Sequence, residues 1–347
     1  MLDDNNVIKQ RDPSNALAIA ADEYKQAEFE ATIVNADHDG RIIKNVVVAG
    51  MGGSALAALI VKVWLRDVLK VPFEVVRGYS LPHYVDANTL VIVSSCSGNT
   101  EETLGCLTQA RERNAQVTIM TSGGALLQQA QDLLITHVVL PDRAVIEPRM
   151  TTVAQTRALA QLLAHFGIIS GQYYEEIALQ ASKLATASKK WTADITTDKN
   201  LAKQLALLAV GKSAVIYGGE LTAPLAYKWK ISWNENSKNV AFWNEYPEFN
   251  HNEFLGWTSH PVEKPYVVID LCSRFEHPQV QRRFEISDRL LSGKRPKATR
   301  VELTGDSILE QLLWGCILAD FVSIYLAILN GVDPTPVALI EKLKQEL

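Results

Sequence analysis

Residues 45–140 repeat one pattern: a short apolar run, a glycine-rich or polar break, then a helical stretch. Residues 45–49 (NVVVA) run into GMGGS, and the spacing predicts a helix over 54–68. Residues 73–77 and 89–94 read as the next two strands, 101–113 as a helix and 116–121 as a strand, and 133–140 closes the series. The runs are continuously apolar and β-branched rather than alternating. Such strands are buried on both faces, so the pattern specifies a flavodoxin-like parallel sheet covered by helices on each side.

The second half opens in the same way. Residues 213–217 (SAVIY) enter GGELTAPLAYKWK, and when Gly52-Gly53 is laid over Gly218-Gly219, Ala57 meets Ala223, Leu59 meets Leu225 and Lys62 meets Lys228. So few matches also fit chance between two βα units, but the shared order of strand, Gly-Gly turn and helix favours internal duplication. Further strands are expected at 266–271 and 300–303, with helices and linker over 151–198. A chain of 347 residues accommodates roughly two domains. The expected division is 1–170 and 171–347, the second domain ending in a helical tail. Residues 308–329 form the most hydrophobic helix candidate, but Glu310, Gln311, Asp320 and Ser323 within it favour a buried core helix over a membrane span.

A net charge of -5 argues against a general binder of nucleic acid or anionic membranes. Cys96, Cys106, Cys272 and Cys316 form no C-x-x-C pair and no zinc-like spacing with histidine. Free thiols in a reducing compartment are expected. With no apolar leader in MLDDNNVIKQRDP, the expected location is the cytoplasm.

At the end of the third strand, VSSCSGNTEET gathers Ser95, Ser97 and Thr100 around Gly98 with no lysine or arginine nearby. In doubly wound sheets, ligands bind beyond the carboxyl ends of strands. Both GMGGS and SCSGNT sit at such ends and open helices, where unpaired N–H groups and the helix dipole favour an anion. A phosphate can be held there by amides and hydroxyls alone. The absent lysine and the spacing argue against a P-loop NTPase. Asn99 followed by Glu102 also reads as a capping box, but capping uses one side chain and leaves three hydroxyls unexplained.

Three later stretches carry candidate chemistry: Glu147-Pro148-Arg149, WKISWNENSKN with Glu235 on a helix, and YPEFNHNE with His251 in a loop after Pro247. Taken singly, a helical glutamate and a loop histidine are usually surface or structural residues. GMGGS followed by SxSGNT resembles the sugar isomerase (SIS) fold, although Cys96 stands where relatives often have Tyr. The ordered set GMGGS, SCSGNT, PRM, ENSKN and NHNE is similar, over nearly the whole chain, to the bifunctional phosphoglucose/phosphomannose isomerases.

That resemblance implies two tandem SIS domains and metal-independent interconversion of glucose 6-phosphate and mannose 6-phosphate with fructose 6-phosphate. Ser54, Ser95, Ser97 and Thr100, with Gly53, would hold the phosphate. Glu235 would be the base, His251 the ring-opening residue and Arg149 the stabiliser of the enediolate. A C-terminal lysine belongs to the pattern, and the Ile-x-x-Leu-Lys register selects Lys344, with Lys342 its neighbour if the register slips. The resemblance further implies no cofactor and a homodimer in which His251 serves the neighbouring subunit. Another phosphosugar isomerase would share the hydroxyl loop without the full ordered set. A non-catalytic phosphosugar sensor would keep the cradle and lose the base.

Overall fold

The computed structural model describes residues 1–142 and 144–346, the side chain of Gln345 excepted. Two compact units emerge, one from Glu23–Ser182 and one from Met1–Asp22 with Lys183–Leu347.

The unit spanning 23–182 is built on a six-stranded sheet: β1 (Ile33–Val34), β2 (Asn45–Gly50), β3 (Phe73–Val76), β4 (Thr89–Ser94), β5 (Gln116–Thr121) and β6 (His137–Val139). The order is β1-β6-β5-β4-β2-β3, with β1 antiparallel to β6 and every other pairing parallel. All of β4 and nearly all of β2 are buried, as continuous apolar runs require. One face packs Val47, Val91, Val93 and Ile119 against Leu107 and Leu126 of the covering helices. Chain order reverses beside β2, which has β3 on one side and β4 on the other. The switch point therefore lies at the carboxyl ends of β2 and β4, where Gly50 and Ser94 are register partners.

The second unit repeats this winding with β7 (Ser213–Gly218), β8 (Ala241–Glu245), β9 (Tyr266–Cys272) and β10 (Thr299–Glu302), ordered β10-β9-β7-β8 and all parallel. Its switch point lies between β7 and β9. The helix Ile308–Asn330 is long and apolar enough to cross a membrane, yet 94% of its most apolar stretch is buried inside the protein. Against it packs the helix Ala223–Asn236, and a fully buried Lys228–Asp320 ion pair at 2.7 Å joins the two.

The boundary differs from the expected one. Residues 1–22 join the second unit because Arg11 donates to the Ile328 carbonyl at 2.6 Å and Lys203 pairs with Asp3 at 3.0 Å. The register of the duplication also differs. By strand ends Gly50, not Gly52, corresponds to Gly218: a Cβ on Gly50 would lie 3.2 Å from the backbone of Ser54, and one on Gly218 2.6 Å from that of Thr222. Each glycine lets a helix start pack directly on its strand, and Ser54 then corresponds to Thr222.

Candidate active site

The hydroxyl loop, residues 95–100, is pinned by its backbone. Ser95 N–H donates to Met120 O at 3.0 Å, and the Gly98 carbonyl accepts from Leu126 N–H at 2.9 Å. Gly98 has φ +68°, and a Cβ there would sit 1.7 Å from Gly123 O, so only glycine fits. This leaves the side chains free to converge: Ser95 and Thr100 hydroxyls lie 2.8 Å apart, and Ser97 is 3.3 Å from each. Ser95 is buried, while Ser97 and Thr100 are half-exposed at the mouth of the cluster.

The expected capping box does not form. Thr100 is the N-cap and makes no side-chain capping bond, and Asn99 instead accepts from Ala125 N–H at 2.8 Å, at the start of a neighbouring helix. Asn99 is thus spent on joining two loops, and the hydroxyls are not consumed by the cap.

GMGGS closes the opposite side. Cys96 N–H donates to the Ser54 hydroxyl at 3.2 Å, linking the loops after β2 and β4. A Cβ on Gly53 would be 3.2 Å from Pro148 O and 3.5 Å from the Arg149 Cα, so the Pro148–Met150 turn packs against this loop. Arg149 is 2% exposed and pairs with Glu147 at 3.1 Å. The turn is fixed by Thr151, whose hydroxyl donates to Pro148 O at 2.8 Å, lies 3.7 Å from Cys96 Sγ and accepts from Gln155 at 2.8 Å. Gly53, Ser54, Ser95, Ser97, Thr100 and Arg149 thus share one site. Sequence reasoning missed Thr151 and Gln155; their only signal was adjacency to PRM.

Glu235, His251 and Lys344 lie in the other unit. Glu235 is half-buried one residue before the end of the helix Ala223–Asn236. His251 is exposed, ending a short turn, Glu248–His251, that follows β8. The helix runs back along the strands it follows, so Glu235 lies at the end where β8 begins and His251 lies past the end where it finishes. The five residues of β8 alone span about 16 Å. Within one chain these two residues do not meet.

The His251 loop is anchored from below. The buried Tyr217 hydroxyl donates to Glu253, which accepts from Asn244 at 2.8 Å, and Trp257 donates to Tyr217 at 3.0 Å. Burial, then the Glu253 charge, pushes the Tyr217 hydroxyl well above its usual pKa, keeping it a donor. Asn250 is clasped by Ser287 and Arg283 at 2.9 and 3.0 Å. The tail starts near Glu235: Lys238 donates to Glu235 O at 2.6 Å and to Pro334 O at 3.1 Å. From there the helix Ala338–Glu346 carries exposed Lys344 and Lys342, the latter 3.9 Å from Glu346.

Comparison with known proteins agrees with the repeated architecture. Residues 42–165 match the SIS domain, and residues 198–347 match the bacterial phospho-glucose isomerase C-terminal SIS domain. A bifunctional phosphoglucose/phosphomannose isomerase from Caldicellulosiruptor bescii is 34% identical over 88% of this chain and 90% of its own length. One of the same name from Aquifex aeolicus is 31% identical, covering 93% and 95%. Among solved structures, a glucose-6-phosphate isomerase like protein from Thermus thermophilus aligns over 100% of this chain and 99% of its own, with TM-score 0.65 and 16% identity. The C-terminal domain of glucosamine-fructose-6-phosphate aminotransferase from Francisella tularensis covers 95% and 97%, with TM-score 0.68 and 16% identity. At that identity the structural likeness speaks to the fold alone.

Proposed function

The chain belongs to the family of bifunctional phosphoglucose/phosphomannose isomerases, and we propose that it interconverts glucose 6-phosphate and mannose 6-phosphate with fructose 6-phosphate, without a metal. The observation that carries this reading is the cradle of Ser95, Ser97 and Thr100 at a switch point, beside the buried Arg149. The phosphate sits on those hydroxyls, Ser54 and the N–H groups at the start of the helix Gly52–Trp64. Its binding energy positions the sugar's first two carbons.

The two hexose phosphates differ only at C2, so one sequence of steps serves both. His251 opens the ring, a task suited to an imidazole that changes charge near neutral pH. Glu235 takes the C2 proton and returns it to C1 through an enediolate. Arg149 offsets the oxyanion, and a buried guanidinium does this better than a solvated one. Lys344, carried by the helix Ala338–Glu346, is the C-terminal lysine that the family resemblance assigns to the reaction.

The separation of Glu235 and His251 along β8 supports a homodimer in which each site takes its His251 from the neighbouring subunit. Mixing Glu235→Gln with His251→Asn chains tests this. Each heterodimer then has one intact site, so a statistical mixture regains about a quarter of wild-type turnover. No recovery by subunits shown to exchange rejects the shared site.

The activity itself is tested by coupled assays of glucose 6-phosphate and mannose 6-phosphate conversion, with and without chelator. Both conversions persisting after chelation is the expected result. Loss restored by zinc rejects the metal-independent mechanism, and the absence of either conversion rejects the substrate assignment.

A further inference from the structure

The second unit has its own switch point, and its first loop, after β7, occupies the place that GMGGS occupies after β2 in the other unit. Gly218 stands for Gly50, Leu221 for Gly53 and Thr222 for Ser54. Something already fills this loop. Glu276, in the connection after β9, accepts from Leu221 N–H at 2.9 Å and Thr222 N–H at 3.0 Å through one oxygen, which also lies 3.2 Å from the Thr222 hydroxyl.

We propose that residues 218–222 form an anion-binding site occupied by the chain's own Glu276 carboxylate, which closes the second unit to phosphoesters. The equivalence with the first loop rests on the proposed phosphate site; the contacts of Glu276 do not.

Three observations carry the assignment. Gly219 leaves room for the carboxylate, since a Cβ there would lie 2.4 Å from the bonded oxygen. Glu276 is only 3% exposed, and its second oxygen has no hydrogen-bond partner, so this is a buried anion held at the head of a 14-residue helix rather than a surface cap. The surroundings are acidic: burial first, then Glu220 and Glu248, raises the affinity of Glu245 for its proton, and burial first, with Glu220 adding to it, raises that of Glu276 against the opposing pull of the Leu221 and Thr222 N–H groups. An incoming phosphate therefore meets a filled pocket and a negative rim. The same carboxylate fixes the start of the helix that carries Glu235 near its end.

The test uses the full chain with the first loop disabled by Ser95→Ala and Thr100→Val, and inorganic phosphate as the probe. In this background the Glu276 chain should show little phosphate-dependent rise in melting temperature. The added Glu276→Ala change should bind phosphate at least about tenfold more tightly, read by calorimetry and by the melting shift that mass action demands. Glu276→Gln, which keeps the pocket filled, should not.

A folded Glu276→Ala chain that binds phosphate no better than its parent overturns the proposal. If that variant is unfolded in chloride, phosphate at equal ionic strength should restore its native circular dichroism, and failure to do so overturns the proposal equally. Phosphate binding by the chain with Ser95 and Thr100 intact reads the first loop separately. The two assignments can therefore fail independently.

Discussion

Ser95, Ser97 and Thr100 lie within 3.3 Å of one another, so each hydroxyl has a neighbour to rotate against before it turns toward a ligand. Replacing Thr100 by Val keeps the shape and removes one such donor to a charged group, a contact worth about 1.5–3 kcal/mol. Steady-state kinetics should show KM rising about tenfold or more for both hexose phosphates, with their ratio unchanged because C2 is far from the ester. Glu235→Gln should instead keep substrate binding and lose most turnover, and near-normal turnover from the folded variant would reject it as the base.

Asp270, buried in the centre of β9 with neither carboxyl oxygen hydrogen-bonded, makes a different prediction. Burial pushes its pKa up to about 7, against a partial pull downward from Arg295. A folded pKa above the unfolded one means its protonated form favours the fold, and that contribution fades as pH rises from about 4 through 7. Asp270→Asn should add little at pH 4 and up to about 4 kcal/mol above pH 7. Urea unfolding across that range checks the sign and the plateau.

At the level of elements, β4 and β5 were legible to the residue, because continuous apolar runs flanked by polar breaks admit one reading. The edge strand β8 was not: AFWNE is at least partly exposed after its first residue, does not alternate, and has an apolar run too short to mark a buried strand. The strand expected over 133–140 shrinks to His137–Val139, since Leu133 caps the preceding helix and Leu134 takes φ +51°. The candidate site was legible as a set of motifs in order, but the packing of the PRM turn onto GMGGS and the separation of Glu235 from His251 are tertiary facts without a local signal.

The pairing of helices Ala223–Asn236 and Ile308–Asn330 is also invisible in sequence. Asp320 accepts from Lys228 at 2.7 and 2.8 Å and from Ser232 at 2.7 Å, while Asn236 reaches Ser323 at 2.9 Å. Lys228→Met strands the Asp320 charge and should cost about 3–5 kcal/mol. Adding Asp320→Leu should recover most of that loss in denaturant titrations.

Across the whole molecule, the assignment of residues 1–22 to the second unit makes this segment part of that unit's structure. Leu2, Ile8 and Leu17 are each under 10% exposed. Deleting the segment should cost that unit about 4.5–9 kcal/mol, at 1.5–3 kcal/mol for each of these three buried side chains. Denaturation followed by tryptophan fluorescence should then move the transition of the second unit and leave that of residues 23–182 in place. An unchanged second transition would show the segment to be dispensable.

Because residues 23–182 interrupt the second unit in the chain, the order of synthesis does not match the order of completion. Arg11 is translated before residues 23–182, yet the Ile328 carbonyl that receives it is translated more than three hundred residues later. The hydroxyl-bearing unit can settle while the nascent chain is still growing, whereas the helix Ala16–Asp22, which packs on Ile308–Asn330, stays without that neighbour until the last long helix emerges.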